Sequence, residues 1–278
     1  MTEYAYYNGV FTPYNAAVIP LSDRSIFFGD AVYDVIVGRG KKLYQFDEHL
    51  ERLYRNATII GLENLPDKTA LKDVADELLE LCSLDTFMLY IQISSDGERR
   101  THSREDKPVN VLLTVTECEV ASELCDIKAI TLPDLRHRYC HVKTTALLPA
   151  VLSVEEARRQ DADIAIFKRG STVTECSYAN VSIIKNGEVI THPYDEDILP
   201  GITQINLEGV CERLGIPHTP RAFSVDELYG ADAVMITSTT KLIKLCTEID
   251  GIGLAVKDKD TPKRLFDKLR SDFIDKTN

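Results

Sequence analysis

The sequence predicts an α+β protein of two successive α/β units, on three observations. Strand-like alternation and helix-like periodicity interleave along the chain, two Asn-Gly pairs punctuate apolar runs as hairpins, and a polar, acid-bearing stretch divides the pattern near its middle. At 278 residues the chain is too long for one ordinary core and suits two domains or one large α/β unit.

The elements follow in order. Asn8-Gly9 joins Tyr4–Tyr7 to residues 10–14, because both turn residues tolerate the positive φ of a tight hairpin. A strand over 31–37 is expected to turn at Gly38 to Gly40 into a second at 42–44. Asp47 can cap a helix in which Leu50, Leu53, Tyr54, Ala57 and Ile60 share one face. A further helix over about 69–82 and strands at 87–93 and 109–115 complete a first domain, 1–117. An interdomain linker is expected over 118–125, and a larger α/β domain over 126–278. That domain should hold strands at 127–132, 164–168, 181–185, 188–191 and 233–237, with helices near 153–160, 203–214 and 262–276. Asn186-Gly187 repeats the hairpin signal, and Ser224 with Glu227 makes a short capping box.

Composition excludes several classes of function. The chain is 44% hydrophobic and 27% charged, as an ordinary globular protein is. Its 44 acidic residues outnumber 32 basic ones for a net charge of -12, and no Lys/Arg run offers a nucleic-acid footprint. The N-terminus has no basic region followed by an apolar stretch, and no apolar run approaches the roughly 20 residues that cross a bilayer. A cytoplasmic protein with neither a membrane nor a nucleic-acid partner is expected. Seven cysteines lie scattered without a C-x-x-C pair, so neither a metal site nor a disulfide framework is expected.

Chemistry concentrates in T-V-T-E-C-S-Y-A-N, from Thr172, and I-L-P-G-I-T, from Ile198. The first places one acid, Glu175, on a strand among hydroxyls; the second opens a helix with a glycine and a threonine, as a backbone prepared to hold a phosphate does. A carboxylate and a phosphate seat together suggest a phosphorylated cofactor with a basic ring. Thr237-Ser238-Thr239-Thr240, after an apolar strand, is a hydrogen-bonding cup for an anion. Each feature alone has a bland reading: a solvated acid, a helix start, a polar loop and, for Arg52, a surface arginine.

In combination the motifs resemble the class IV, or fold-type IV, pyridoxal-phosphate aminotransferases, from about Tyr4 to Phe273. The resemblance rests on F-G-D-A-V-Y-D-V from Phe28, E-H-L-E-R-L from Glu48, K-T-T-A-L-L from Lys143, T-V-T-E from Thr172, I-L-P-G-I-T from Ile198 and T-S-T-T from Thr237. It implies two α/β domains with the cofactor site at their interface, pyridoxal 5′-phosphate as cofactor, and Lys143 as the Schiff-base lysine. A neutral amine is needed there, which partial burial favours. By the same resemblance Glu175 holds the pyridine nitrogen, Arg52, Ile202, Thr203, Ser238 and Thr239 hold the phosphate, and Leu199 packs near the ring face.

The implied activity is ping-pong transamination, with Lys143 also moving the substrate Cα proton. Substrate choice rests on Tyr33, Arg100 and His102. The R-x-H spacing within G-E-R-R-T-H-S resembles the carboxylate trap of D-amino-acid transaminases, where the arginine and histidine come from the partner subunit of a homodimer. A D-amino acid such as D-alanine or D-glutamate is therefore the expected donor and a 2-oxo acid the acceptor. Branched-chain L-amino-acid transaminase, aminodeoxychorismate lyase and a cofactor-free binding protein are the alternatives. The chain departs from the pattern at Cys176 and Tyr178, where small residues are familiar, at Thr144-Thr145-Ala146, and at Gln204, where an arginine commonly stands. Arg99 beside Arg100 leaves open which of the two meets the carboxylate.

Overall fold

The protein is described here by a computed structural model covering residues 3–97, 99–104 and 108–278. These form two compact units. The first runs up to Val120 and takes in Val142–Ala146 and Ile274–Asn278; the second comprises Ala121–His141 and Leu147–Phe273. Glu98 and Glu105 to Lys107, in and after the R-R-T-H-S loop, lie outside the described residues.

The first unit begins with the hairpin β1 (Tyr4–Tyr7) and β2 (Val10–Pro13), turned by Asn8 and Gly9 at φ of 45° and 94°. A short helix α1 (Ser25–Phe28) leads into β3 (Ala31–Arg39) and β4 (Lys42–Leu43). Helices α2 (Phe46–Ile59) and α3 (Lys68–Leu81) precede β5 (Thr86–Ser94) and β6 (Asn110–Glu117). The sheet runs β2-β1-β6-β5-β3-β4 and every neighbouring pair is antiparallel. Leu50 and Leu53 of α2, and Leu71 and Leu78 of α3, pack with Ile36 and Phe87 of the sheet in one core.

Two local expectations are corrected. Asp47 lies inside the first turn of α2, where its charge favours the helix N-terminus, and the cap is Gln45 in the left-handed region. Gly38 belongs to β3 rather than to the turn, which falls at Gly40 (φ 59°).

The second unit holds β7 (Cys125–Pro133), α4 (Leu148–Arg159), β8 (Ile164–Arg169), β9 (Thr172–Cys176), β10 (Asn180–Lys185) and β11 (Glu188–Thr191). After these come α5 (Ile202–Leu214), β12 (His218–Pro220), α6 (Val225–Tyr229), β13 (Ala233–Ser238), β14 (Leu242–Ile249), β15 (Ile252–Gly253) and α7 (Asp260–Thr277). Its sheet runs β12-β11-β10-β13-β14-β7-β8-β9 with β15 on β14, parallel at β12/β11, β14/β7 and β7/β8 and antiparallel elsewhere. Asn186 and Gly187 turn the β10–β11 hairpin at φ of 51° and 76°, and Ser224 and Glu227 form the capping box of α6.

The domain expectation is corrected at 142–146, which 126–278 had included. Val142 is buried in the first unit's core, Tyr33 N–H donates to Lys143 O (3.0 Å), and Thr145 N–H donates to Ala31 O (3.2 Å). The lysine segment therefore lies along β3, a long-range pairing that local periodicity does not encode. The tail at 274–278 likewise joins the first unit.

Gly38 faces Phe87 across the β3–β5 pair, and a Cβ there would lie 2.4 Å from the Phe87 ring. Gly38→Ala is expected to destabilise the protein by about 1–3 kcal/mol through overpacking, read as a lower urea midpoint at unchanged slope.

Candidate active site

In the first unit the functional side chains gather round a buried acid. Val32, Asp34 and Ile36 alternate inward on β3, so strand period alone carries Asp34 to 0% exposure. Its carboxylate accepts from Arg52 Nε (2.8 Å) and Nη2 (2.7 Å), from His49 Nδ1 (2.7 Å) and from its neighbour Val35 N–H (2.8 Å). His49 and Arg52 are three residues apart on α2 and so share a helix face. Burial alone would raise the Asp34 carboxyl, but the charge of Arg52 and the hydrogen bonds from His49 and Arg52 outweigh it and hold the group far below the usual carboxylate range. His49 is pushed down, first by burial and then by the charges of Arg52 and Lys143, against the pull of Asp34. It is thus neutral at pH 7, with its proton on Nδ1 facing the carboxylate.

Lys143 reaches this cluster through the segment beside β3. Its Nζ lies 4.5 Å from the centroid of the Tyr33 ring, and Tyr33 stacks on Tyr90 at 5.3 Å. Lys143 and Tyr33 are therefore brought together, while Arg52 is held on the next strand residue, Asp34. Arg100 and His102 form a separate pair, Arg100 Cζ lying 5.2 Å from the centroid of the Phe28 ring and the His102 ring 5.5 Å from it. Among the described residues no hydrogen bond or ring contact joins that pair to Lys143 or Tyr33.

In the second unit Glu175, on β9, is 5% exposed. Its Oε2 accepts from Asn180 Nδ2 (3.0 Å) and from Leu199 N–H (3.1 Å), and its Oε1 pairs with Arg136. Asn180 donates again to Leu199 O (2.9 Å), so one amide ties the acid to the segment leading into α5. Arg136 is held in turn by Asp134, Nε to Oδ1 at 2.9 Å and Nη2 to Oδ2 at 2.8 Å, and lies over the Phe167 ring at 4.8 Å. Burial would lower the Arg136 guanidinium, but its hydrogen bonds to Asp134 and the charge of Glu175 raise it further, so it stays charged. Leu199 serves Glu175 through its backbone.

Ile202 and Thr203 open α5 behind Gly201, which supplies no side-chain cap, so the positive end of the helix is left to another acceptor. A Cβ on Gly201 would lie 2.1 Å from Asn180 Oδ1; only glycine lets the helix start approach Asn180 this closely. Ser238 ends β13 and Thr239 begins the turn to β14, with α5 packed on β13. The adjoining Thr237 is 1% exposed, and its hydroxyl has no hydrogen-bond partner among the described residues. Tyr178 is 59% exposed and its hydroxyl donates to Asp163 O (3.4 Å).

These donor sets fit pyridoxal phosphate. A held carboxylate suits the pyridine nitrogen, an uncapped helix start and an unpartnered buried hydroxyl suit a phosphate, and a lysine and an arginine suit the aldehyde and the phosphate charge. Sequence reasoning missed Asp34, His49, Arg136 and Asn180. Asp34 had a visible signal, a charged residue at the apolar phase of β3; Arg136 had none.

Comparison with known proteins agrees with this fold. The family model for class IV amino-transferases matches residues 31–249, and the chain belongs to that family. The class is pyridoxal-phosphate dependent and the protein is an aminotransferase. The chain is 36% identical over 247 residues to a D-alanine aminotransferase of Listeria innocua serovar 6a, a match covering 87% of this chain and 86% of that one. The structure superposes with a TM-score of 0.91 on the branched-chain aminotransferase of Thermoproteus uzoniensis with norvaline, at 22% identity over 99% of this chain and 96% of that one. It superposes at 0.88 on the branched-chain amino acid aminotransferase from Escherichia coli, at 20% identity over 100% of this chain and 96% of that one. At those identities the structural likeness carries the fold.

Two outcomes follow from the Asp34 cluster. Asp34→Asn removes the buried carboxylate that pairs with Arg52 and His49 and should cost about 3–5 kcal/mol in denaturant unfolding. The unfolded chain protonates His49 before the native protein does, so stability present above about pH 6.5 is lost as pH falls below it. Thermal scans from pH 7 to 5.5 should show a falling Tm, with a smaller fall in His49→Asn.

Proposed function

We propose that the protein transfers the amino group of a D-amino acid, such as D-alanine or D-glutamate, to a 2-oxo acid by a ping-pong mechanism. The observation that carries the stereochemical reading is the Arg100–His102 pair on one aromatic ring, a fork and an imidazole with which to receive a carboxylate. The D-alanine aminotransferase relative supports it. Between the two adjacent arginines the reading takes Arg100, because Arg100 shares Phe28 with His102.

Bound pyridoxal phosphate supplies an electron-accepting ring that takes up the charge left when the substrate Cα proton departs. The chain's own residues do the rest. Lys143 anchors the cofactor, yields its place to the substrate amine, and then carries the Cα proton on Nζ as base and acid. Glu175, held by Asn180 and the Leu199 N–H, keeps a proton on the pyridine nitrogen. Arg52 with Ile202, Thr203, Ser238 and Thr239 holds the phosphate, Leu199 lines the ring face, and Tyr33, Arg100 and His102 bind the substrate carboxylate. As proposed, Arg100 and His102 serve the partner subunit of a homodimer. A cytoplasmic setting is part of the same reading, resting on seven scattered cysteines without a C-x-x-C pair. Among the described residues no helix is long and apolar enough to cross a membrane.

Lys143→Ala should abolish turnover, by at least about a thousandfold, while the protein still folds and unfolds cooperatively. A panel of D- and L-alanine, D-glutamate and L-leucine with pyruvate or 2-oxoglutarate tests the stereochemistry. Turnover of the D-amino acids is expected, and a preference for L-leucine would overturn the reading in favour of a branched-chain enzyme.

A further inference from the structure

The loop that carries Arg100 and His102 is fastened from beneath by a second arginine. Arg24, just before α1, is 5% exposed, although it is a charged side chain among exposed loop residues. Its Nη1 donates to Thr101 O (2.6 Å) and Ser103 O (3.3 Å), its Nη2 to His102 O (3.2 Å), and its Nε to Asp30 Oδ2 (2.9 Å). Its backbone N–H donates to Ser95 O (3.0 Å), so the arginine is itself moored to the end of β5. A guanidinium is retained at such burial only when its donors meet acceptors, and here they meet one carboxylate and three successive carbonyls.

A third arginine closes the far end of the loop. Arg104 Nε donates to the same Asp30 Oδ2 (2.9 Å), its Nη2 pairs with Asp30 Oδ1, and its Nη1 donates to Ile60 O (2.5 Å) and Gly61 O (3.0 Å) after α2. Asp30 is thus the shared counter-ion of two arginines whose hydrogen-bonding capacity is taken up by backbone. Arg100 differs: it lies against the Phe28 ring, and its fork donates no hydrogen bond among the described residues. Phe28 is also the ring under Arg24, at 4.5 Å. Fixing the carbonyls of residues 101 to 103 fixes the backbone on both sides of His102, and with it the directions in which side chains 100 and 102 leave the loop. Arg24 and Asp30 build the floor, Phe28 is the surface, and Arg100 and His102 stand on it with their polar ends available.

We propose that Arg24 is a positioning residue for substrate recognition: with Asp30 as its counter-ion it clamps the Thr101–Ser103 backbone and so presents Arg100 and His102 to the substrate carboxylate. This rests on the reading of Arg100 and His102 as carboxylate ligands. The clamp accounts for specificity lodged on an exposed loop, since preorganising the two ligands removes the ordering entropy that substrate binding would otherwise have to supply.

The test uses the full-length holoenzyme and compares Arg24→Gln, Arg24→Lys and Arg100→Ala by amide hydrogen exchange over residues 96–104, by KM and kcat for D-alanine, and by the Kd for pyridoxal phosphate. Arg24→Gln should speed exchange in 99–104 about tenfold and raise the KM for D-alanine about tenfold, with kcat changed less than threefold and cofactor Kd unchanged. Arg24→Lys keeps the charge and the Asp30 pair but lacks the fork; it should fall between wild type and Arg24→Gln, and it serves alone if Arg24→Gln does not fold. Unchanged exchange at 99–104 overturns the clamp. Faster exchange with a KM raised by Arg100→Ala but not by an Arg24 variant overturns the positioning role. Faster exchange with a KM unmoved by Arg24→Gln and by Arg100→Ala alike locates the failure in the carboxylate reading, and the positioning role falls with it.

Discussion

Asp34 carries a charge where no water reaches it, and the first unit is arranged round that fact. A lone buried carboxylate is so unfavourable that it must be paired or lose its charge, and the pairing recruits Arg52 and His49 from α2. Two side chains of one helix bound to one strand residue set both the roll and the height of α2 on β3. The next residue back on β3, Tyr33, receives the Lys143 segment through its backbone and the Lys143 amine over its ring. One buried charge thus fixes Arg52 on the strand whose next residue back, Tyr33, meets Lys143.

The second unit solves a similar problem with one charged partner and two neutral donors. Glu175 pairs with Arg136 through one oxygen, and Asn180 and the Leu199 N–H hold the other. Because the same Asn180 amide also ties down Leu199 O, the acid and the start of α5 are placed by a single side chain. The absence of a Cβ at Gly201 makes that placement sterically allowed. Arg136 and Asp134 add charge complementarity behind Glu175. Both units therefore place their reactive groups by hydrogen bonds to strand-borne acids rather than by loop conformation, which is how a site remains preorganised before its cofactor arrives.

Much of this was readable in one dimension. The two Asn-Gly turns, the helices over α2, α3, α5 and α7, and most strands follow from local chemistry, because a tight hairpin needs positive φ and an amphipathic face repeats at 3.6 residues. The chemical residues were readable only as a set. Glu175 alone resembles any solvated acid, and Lys143 any lysine at a strand end. β14 was missed because only Lys241 separates it from a run of hydroxyl residues, with Leu242 in the left-handed region (φ 55°) and no Gly, Asn or Pro to announce a strand. Asp47 looked like a cap because acids favour helix starts, and it serves the helix one position inside instead.

By itself, then, the sequence determined the kinds of element, their order, and a set of motifs that marks a class IV aminotransferase. Those depend on interactions between near neighbours and on side-chain chemistry that a linear pattern carries. Only the tertiary structure decided that residues 142–146 belong with the first unit, that Asp34 lies at the centre of a buried ion cluster, and that Arg24 reaches Thr101, His102 and Ser103 from nearly eighty positions away. Such partners are selected by burial and by long-range strand pairing, and neither leaves a period in the chain.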